Sequence, residues 1–185
     1  MKTVKIIILS VMTAAVLSNL FCESQTAEGH LKKGIELSKK GVFTEAIEEF
    51  KKAAEKKPDY AEAYYNWGVA LANLGKYTDA VVKYQEATGI DPNYAEVYSD
   101  WGGTLVILEY YDEGIEKYKE AIRIAPDMPE PHANLGITLG MVDRKEEAKE
   151  ELQKALELFK KQGKAEDVSK VEALLYSLEK SQEKE

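Results

Sequence analysis

Small and bulky side chains recur along this chain at a fixed interval of 34 residues. Trp67-Gly68, Ala80, Tyr84, Ala87 and Pro92 are met again, one interval on, by Trp101-Gly102, Gly114, Tyr118, Ala121 and Pro126. One interval upstream stand Lys33-Gly34, Ala46, Phe50, Ala53 and Pro58. One further downstream stand Leu135-Gly136, Ala148, Leu152, Ala155 and Lys160. A constant period across four copies, with no insertion, predicts a stacked array in which each unit buries its apolar side on its neighbours.

The unit that shows the pattern most fully is Ala61 to Tyr94, which reads as two amphipathic helices, A and B, joined at Gly75. We count positions within each unit from Ala27, Ala61, Ala95 and Pro129. Positions 8, 20 and 27 are small because two helices cross there, and a larger side chain would hold the backbones apart. Positions 4, 7, 11 and 24 supply bulk to fill the space between helices, at about 1.5–3 kcal/mol for each fully buried side chain. Pro58, Pro92 and Pro126 stop helix B. Gly41 and Gly75 supply the permissive A-to-B turn, where the later units carry Glu109 and Asp143, residues that make that turn less favourable.

These positions resemble the signature of the tetratricopeptide repeat (TPR) family over residues 27–162. The second unit matches throughout, with Tyr64, Trp67, Gly68, Leu71, Ala80, Tyr84, Ala87 and Pro92. The third departs only at Gly114. The first has His30 and Lys33 at positions 4 and 7, and the fourth has His132 and Lys160. The resemblance implies an all-α, right-handed solenoid of four helix-turn-helix repeats (27–60, 61–94, 95–128 and 129–162). His30 and Lys33 face no preceding repeat and are expected to be solvated. After Gln162-Gly163, Ala165, Val168, Val171, Leu174, Leu175 and Leu178 predict an amphipathic helix over 164–178 that caps the array, followed by a charged tail, 179–185.

The amino terminus has another character. Lys2 and Lys5 precede an apolar run from Ile6 to Leu17, the layout of a secretory signal or membrane anchor over residues 1–21. Cys22, in the short linker 22–26, resembles the lipidated cysteine of bacterial lipoproteins, although Asn19 and Phe21 depart from that family's preceding residues. Cleavage after Ala15, Ser18 or Ser24, or retention as an anchor, are the alternatives. The expected location is the periplasmic or outer side of a bacterial membrane, with a soluble exported form as the alternative.

The net charge of -8, from 25 basic and 33 acidic residues, argues against nucleic-acid binding, which needs a basic stripe. Two histidines in equivalent positions and one cysteine outside the repeats give no metal or cofactor site. No phosphate loop or nucleophile motif is present, and Glu48-Glu49 and Glu150-Glu151 read as solvated helix faces, so no catalytic activity is expected. Trp67 and Trp101 read as core.

In the family, helix A lines the inner face of the superhelix. The resemblance therefore implies a protein-binding groove made by Leu31, Ile35 and Lys39, then Tyr65, Asn66, Val69 and Asn73. Ser99, Asp100, Gly103 and Ile107 follow, and then Ala133, Asn134, Ile137 and Met141. Asparagine amides beside apolar residues suit an extended peptide. The clamp with which some family members hold an acidic carboxyl terminus would need cationic and amide side chains where Leu31 and Ile35 stand. The implied function is a non-catalytic scaffold that binds a protein segment and assists envelope assembly. A homo-oligomer stacked through exposed end faces is the alternative.

Overall fold

The computed structural model describes residues 26–182; the segment expected to be a leader or anchor (1–21), Cys22 with residues 23–25, and residues 183–185 lie outside the described residues. Nine α-helices and no strand make up the described residues. They are α1 (Ala27–Lys39), α2 (Phe43–Lys56), α3 (Ala61–Asn73), α4 (Tyr77–Ile90), α5 (Ala95–Ile107), α6 (Tyr111–Ile124), α7 (Pro129–Met141), α8 (Lys145–Gln162) and α9 (Ala165–Gln182). Each helix packs on the next in order, and α1, α3, α5 and α7 also touch one another in succession. That second set of contacts puts the A helices on the inside of a curved, all-α solenoid.

Close approach of A and B is possible only because of the glycines at position 8. A Cβ on Gly68 would lie 2.6 Å from the Tyr84 ring, and one on Gly102 2.8 Å from the Tyr118 ring. On Gly34 it would run into Phe50, and on Gly136 it would stand 2.7 Å from Leu152. Ala46, Ala80 and Ala148 at position 20, and Ala53, Ala87, Ala121 and Ala155 at position 27, are fully shielded from solvent. The bulky residues of position 24 also tie repeats together. Tyr84 and Tyr118 hydrogen-bond to Thr104 and Thr138, at position 10 of the following repeat, whereas Phe50 is followed by the buried Ala70. Burial pushes both phenols up, Tyr118 to about 12.

Each A helix ends with one geometry. In α1 the Gly41 amide donates to the Ser38 carbonyl and the Val42 amide to that of Leu37, a Schellman closure with Gly41 at φ 76°. Glu109 and Asp143 are forced into the same left-handed conformation, at φ 65° and 62°. Gly163 closes α8 likewise at φ 72°. Helix α9 then lays Val168, Val171, Leu174, Leu175 and Leu178 beside Leu152 and Phe159 of the fourth repeat. It persists to Gln182, beyond the point where the charged tail begins in the sequence reading, and Glu179 pairs with Lys149 at 3.3 Å.

The terminal repeats differ from expectation. His30 is buried, and its Nδ1–H donates to Glu49 at 2.7 Å. Glu49 is itself only 5% exposed and also accepts from Lys33 and Lys52, so neither His30 nor Glu49 is a solvated surface group. His132 and the part-buried Glu151 repeat the pair at 2.7 Å. A buried imidazole needs a partner, and the carboxylate one helix away supplies it. Trp101 is buried, and Trp67 packs partly buried against the core while forming part of an outer cleft of about 370 Å³ between the first two repeats.

Candidate functional site: the concave face

Helix geometry sets which side chains reach the inner face, because the exposed stripe of each A helix follows from burying the opposite stripe against helix B. Of the residues implied by the sequence, Lys39, Asn73, Asp100, Ile107, Ile137 and Met141 are exposed, and Ile35, Tyr65, Asn66, Val69, Gly103 and Asn134 are partly so. Three are corrected by the structure. Leu31 is 5% exposed, Ser99 4% and Ala133 9%, so all three belong to the packed interior and offer the groove no surface. The curvature that brings successive A helices into contact closes position 5 wherever the side chain is not as large as Tyr65.

The centre of the groove has the most developed chemistry. The Tyr65 hydroxyl donates to Asp100 Oδ2 at 2.8 Å, joining repeat two to repeat three. The Tyr65 ring stands 5.1 Å from that of Tyr94, tilted by 51°, and 6.4 Å from that of Tyr84. Asp100 opens to solvent, yet the surrounding walls keep out enough water to raise its pKa. The hydrogen bond from Tyr65 opposes that rise, and Glu96 adds to it. Burial raises the Tyr65 phenol as well, with Asp100 adding to the effect. Tyr94 is pushed up to about 12, first by burial and then by the field of Glu62, Glu96, Asp91 and Asp100.

The asparagines are partly committed to their own helices. Asn66 Nδ2 donates to the Glu62 carbonyl and Asn73 Nδ2 to that of Val69, each at 2.8 Å. One amide hydrogen of each is thereby used, which leaves Oδ1 and the second hydrogen free to meet a ligand. Toward the fourth repeat the inner face becomes apolar. Ile107 is 58% exposed, Met141 57% and Ile137 39%. Ile137 and Met141 flank a pocket of about 240 Å³ that Leu174 and Leu178 of α9 complete.

Sequence reasoning missed Tyr94 and position 2, where every repeat carries glutamate (Glu28, Glu62, Glu96 and Glu130). The glutamate period was visible in the sequence, but Tyr94 lies at the end of its own repeat and reaches the groove only through the fold. Among the described residues no group of three or more His, Cys, Asp or Glu side chains gathers as a metal site would require.

Stacked helical hairpins with an open inner face define a class, the α-solenoid interaction scaffolds. The family model described as TPR repeat matches residues 34–75, and that described as Tetratricopeptide repeat matches residues 61–94. Residues 34–94 thus carry tetratricopeptide repeats, and the described helices as a whole have the fold of that family. It is similar to the crystal structure of MamA, with 28% identity over 80% of this chain and 86% of that one and a TM-score of 0.71. PilF of Pseudomonas aeruginosa shares the fold at 20% identity, covering 82% of this chain and 75% of that one, with a TM-score of 0.66. The first TPR domain of Spaghetti (RPAP3), bound to the HSP90 peptide SRMEEVD, shares it at 23% identity, covering 65% and 95%, with a TM-score of 0.62. No curated protein matches the sequence.

Proposed function

We propose that the chain is a non-catalytic scaffold that holds an extended segment of a partner protein along its concave face. The observation that carries this reading is the inner stripe itself. Partly free amides at Asn66, Asn73 and Asn134 stand beside large apolar side chains that the fold leaves in water at Ile107, Ile137 and Met141. Apolar side chains aligned on one concave surface and flanked by hydrogen-bonding groups are the features of a peptide groove. The TPR domain of Spaghetti holds a peptide, a precedent for the fold. Stacking of copies through both ends is less favoured, because α9 already covers the apolar side of the fourth repeat.

The proposal includes a location. Residues 1–21 would deliver the chain across a bacterial inner membrane, and lipid on Cys22 would hold it at the periplasmic or outer side, where a groove of this kind would serve envelope assembly. Two acyl chains would anchor it firmly at about 0.8 kcal/mol per buried methylene. No helix among the described residues is long and apolar enough to cross a membrane.

The decisive experiment is co-purification from native membranes by wild type and by Asn66→Ala with Asn134→Ala. The double variant is expected to lose partner capture with an unchanged thermal midpoint; equal capture by both proteins would refute groove binding. Membrane fractionation and acyl labelling of wild type and Cys22→Ser test the anchor, and an unlabelled wild type would remove it.

A further inference from the structure

The middle of the groove has a sign, and that sign selects a ligand. Asp100 holds one hydrogen bond from Tyr65 and no cation, and no lysine or arginine pairs with Glu62 or Glu96 among the described residues. The last glutamate of the series, Glu130, differs, because Lys164 neutralises it at 2.7 Å. In repeats two and three, the inner positions of helix A carry three carboxylates and no positive charge. These acids do not stand alone. The rings of Tyr65 and Tyr94 meet at 5.1 Å beside Asp100, and the Tyr94 hydroxyl lies in the combined field of Glu62, Glu96, Asp91 and Asp100.

Resting on the groove reading above, we infer that the Tyr65–Tyr94–Asp100 cluster takes an arginine or lysine side chain of an extended peptide, whose neighbouring aliphatic side chains run toward Ile107 and Ile137. The chemistry is complementary at each point. A guanidinium or ammonium is drawn to the electron-rich faces of the two rings. It also supplies the charge-assisted donor that a partly desolvated carboxylate lacks. Glu62 and Glu96 would steer a positive segment into the groove and repel an acidic one. The exposed Ile107 and Ile137 then offer the apolar contact that a purely electrostatic surface would not.

The test uses the full-length protein in detergent and three capped nine-residue peptides. One alternates leucine and alanine with arginine, and the others replace each arginine by glutamine or by glutamate. Fluorescence anisotropy should show the arginine peptide binding at least about tenfold more tightly than the glutamine peptide, no binding of the glutamate peptide, and weakening as salt rises. Asp100→Asn preserves the acceptor for Tyr65. Combined with Glu62→Gln and Glu96→Gln, it should remove the arginine preference while circular dichroism and the thermal midpoint stay unchanged. Two results would overturn the inference: arginine and glutamine peptides binding alike, or an arginine preference that survives the triple variant. If that preference is absent but Asn66→Ala with Asn134→Ala still abolishes partner capture from membranes, the groove reading stands without its cation site. If capture is also unaffected, both fall.

Discussion

The two inner repeats and the two outer repeats solve one packing problem with opposite electrostatics. At positions 4 and 7 of helix A the inner repeats stack a tyrosine on a tryptophan, Tyr64 on Trp67 at 6.4 Å and Tyr98 on Trp101 at 6.3 Å. Position 23 of helix B then brings a lysine over the indole, Lys83 at 4.1 Å and Lys117 at 3.9 Å. In the outer repeats position 4 is histidine and position 23 is glutamate, paired at 2.7 Å as His30–Glu49 and His132–Glu151. The slot between the helices thus carries one arrangement or the other in each repeat. A ring face attracts a cation, and an imidazole N–H needs an acceptor. What the slot selects is complementarity of sign across it.

The largest test is to mix the two arrangements. Glu49→Lys would place an ammonium against His30, Lys33 and Lys52, and is expected to cost about 4 kcal/mol in chemical denaturation, the scale for stranding buried charge. Adding His30→Tyr and Lys33→Trp would convert the first repeat to the inner arrangement and should recover at least half of that loss. Failure to recover would mean that the slots are not equivalent.

Acid should separate the two kinds of repeat at a smaller scale. Burial alone would raise Glu49, but hydrogen bonds from His30, Lys52 and Lys33 outweigh it and hold the carboxyl at about 2, below the ordinary 4.5. A depressed folded-state pKa means that the unfolded chain binds more protons. The stabilisation is therefore complete above pH 4.5 and is lost as pH falls toward 2. With solvent screening discounted, the loss is about 2 kcal/mol. The inner repeats carry Lys83 and Lys117 at this position in place of the carboxylate. Thermal melts from neutral pH downward should lose stability less steeply in Glu49→Gln than in wild type.

A comparable change in an inner repeat is expected to cost less. Lys83→Met removes the cation from Trp67 and from Glu86 but strands no buried charge, so about 1 kcal/mol is expected in the same assay. A loss matching that of Glu49→Lys would show that the cation over the ring bears more of the packing than its geometry implies.

The smallest effect has the opposite sign and compares the two strained turns. Glu109→Gly relieves a left-handed backbone at φ 65° and should stabilise by about 1 kcal/mol, the strain removed exceeding the entropy that glycine loses on folding. Asp143→Gly, at φ 62°, should gain less, because aspartate tolerates that region better. Equal gains in a calorimetric comparison would deny the distinction.

Most of the architecture was legible in the residues, because it depends on contacts within a hairpin and with the next one. The period of position-8 glycines, position-20 and position-27 alanines and helix-ending prolines is a local record of where helices cross and stop. The failures have one cause. Leu31, Ser99 and Ala133 occupy inner-face positions of helix A yet are closed off, and His30 and Glu49, read as solvated, are buried together. Spacing along one helix says which side a residue faces; it does not say how far the neighbouring helix overhangs it.

By itself, the sequence determined the repeat, its two helices, the family resemblance and the A-helix stripe that faces inward. The tertiary structure alone decided which carboxylates are neutralised, which are left beside an aromatic pair and which inner positions remain open. The physical reason is distance. Helix periodicity is set within a few residues, whereas the electrostatics of Glu49 or Asp100 depend on side chains from other helices that only packing brings within hydrogen-bonding range.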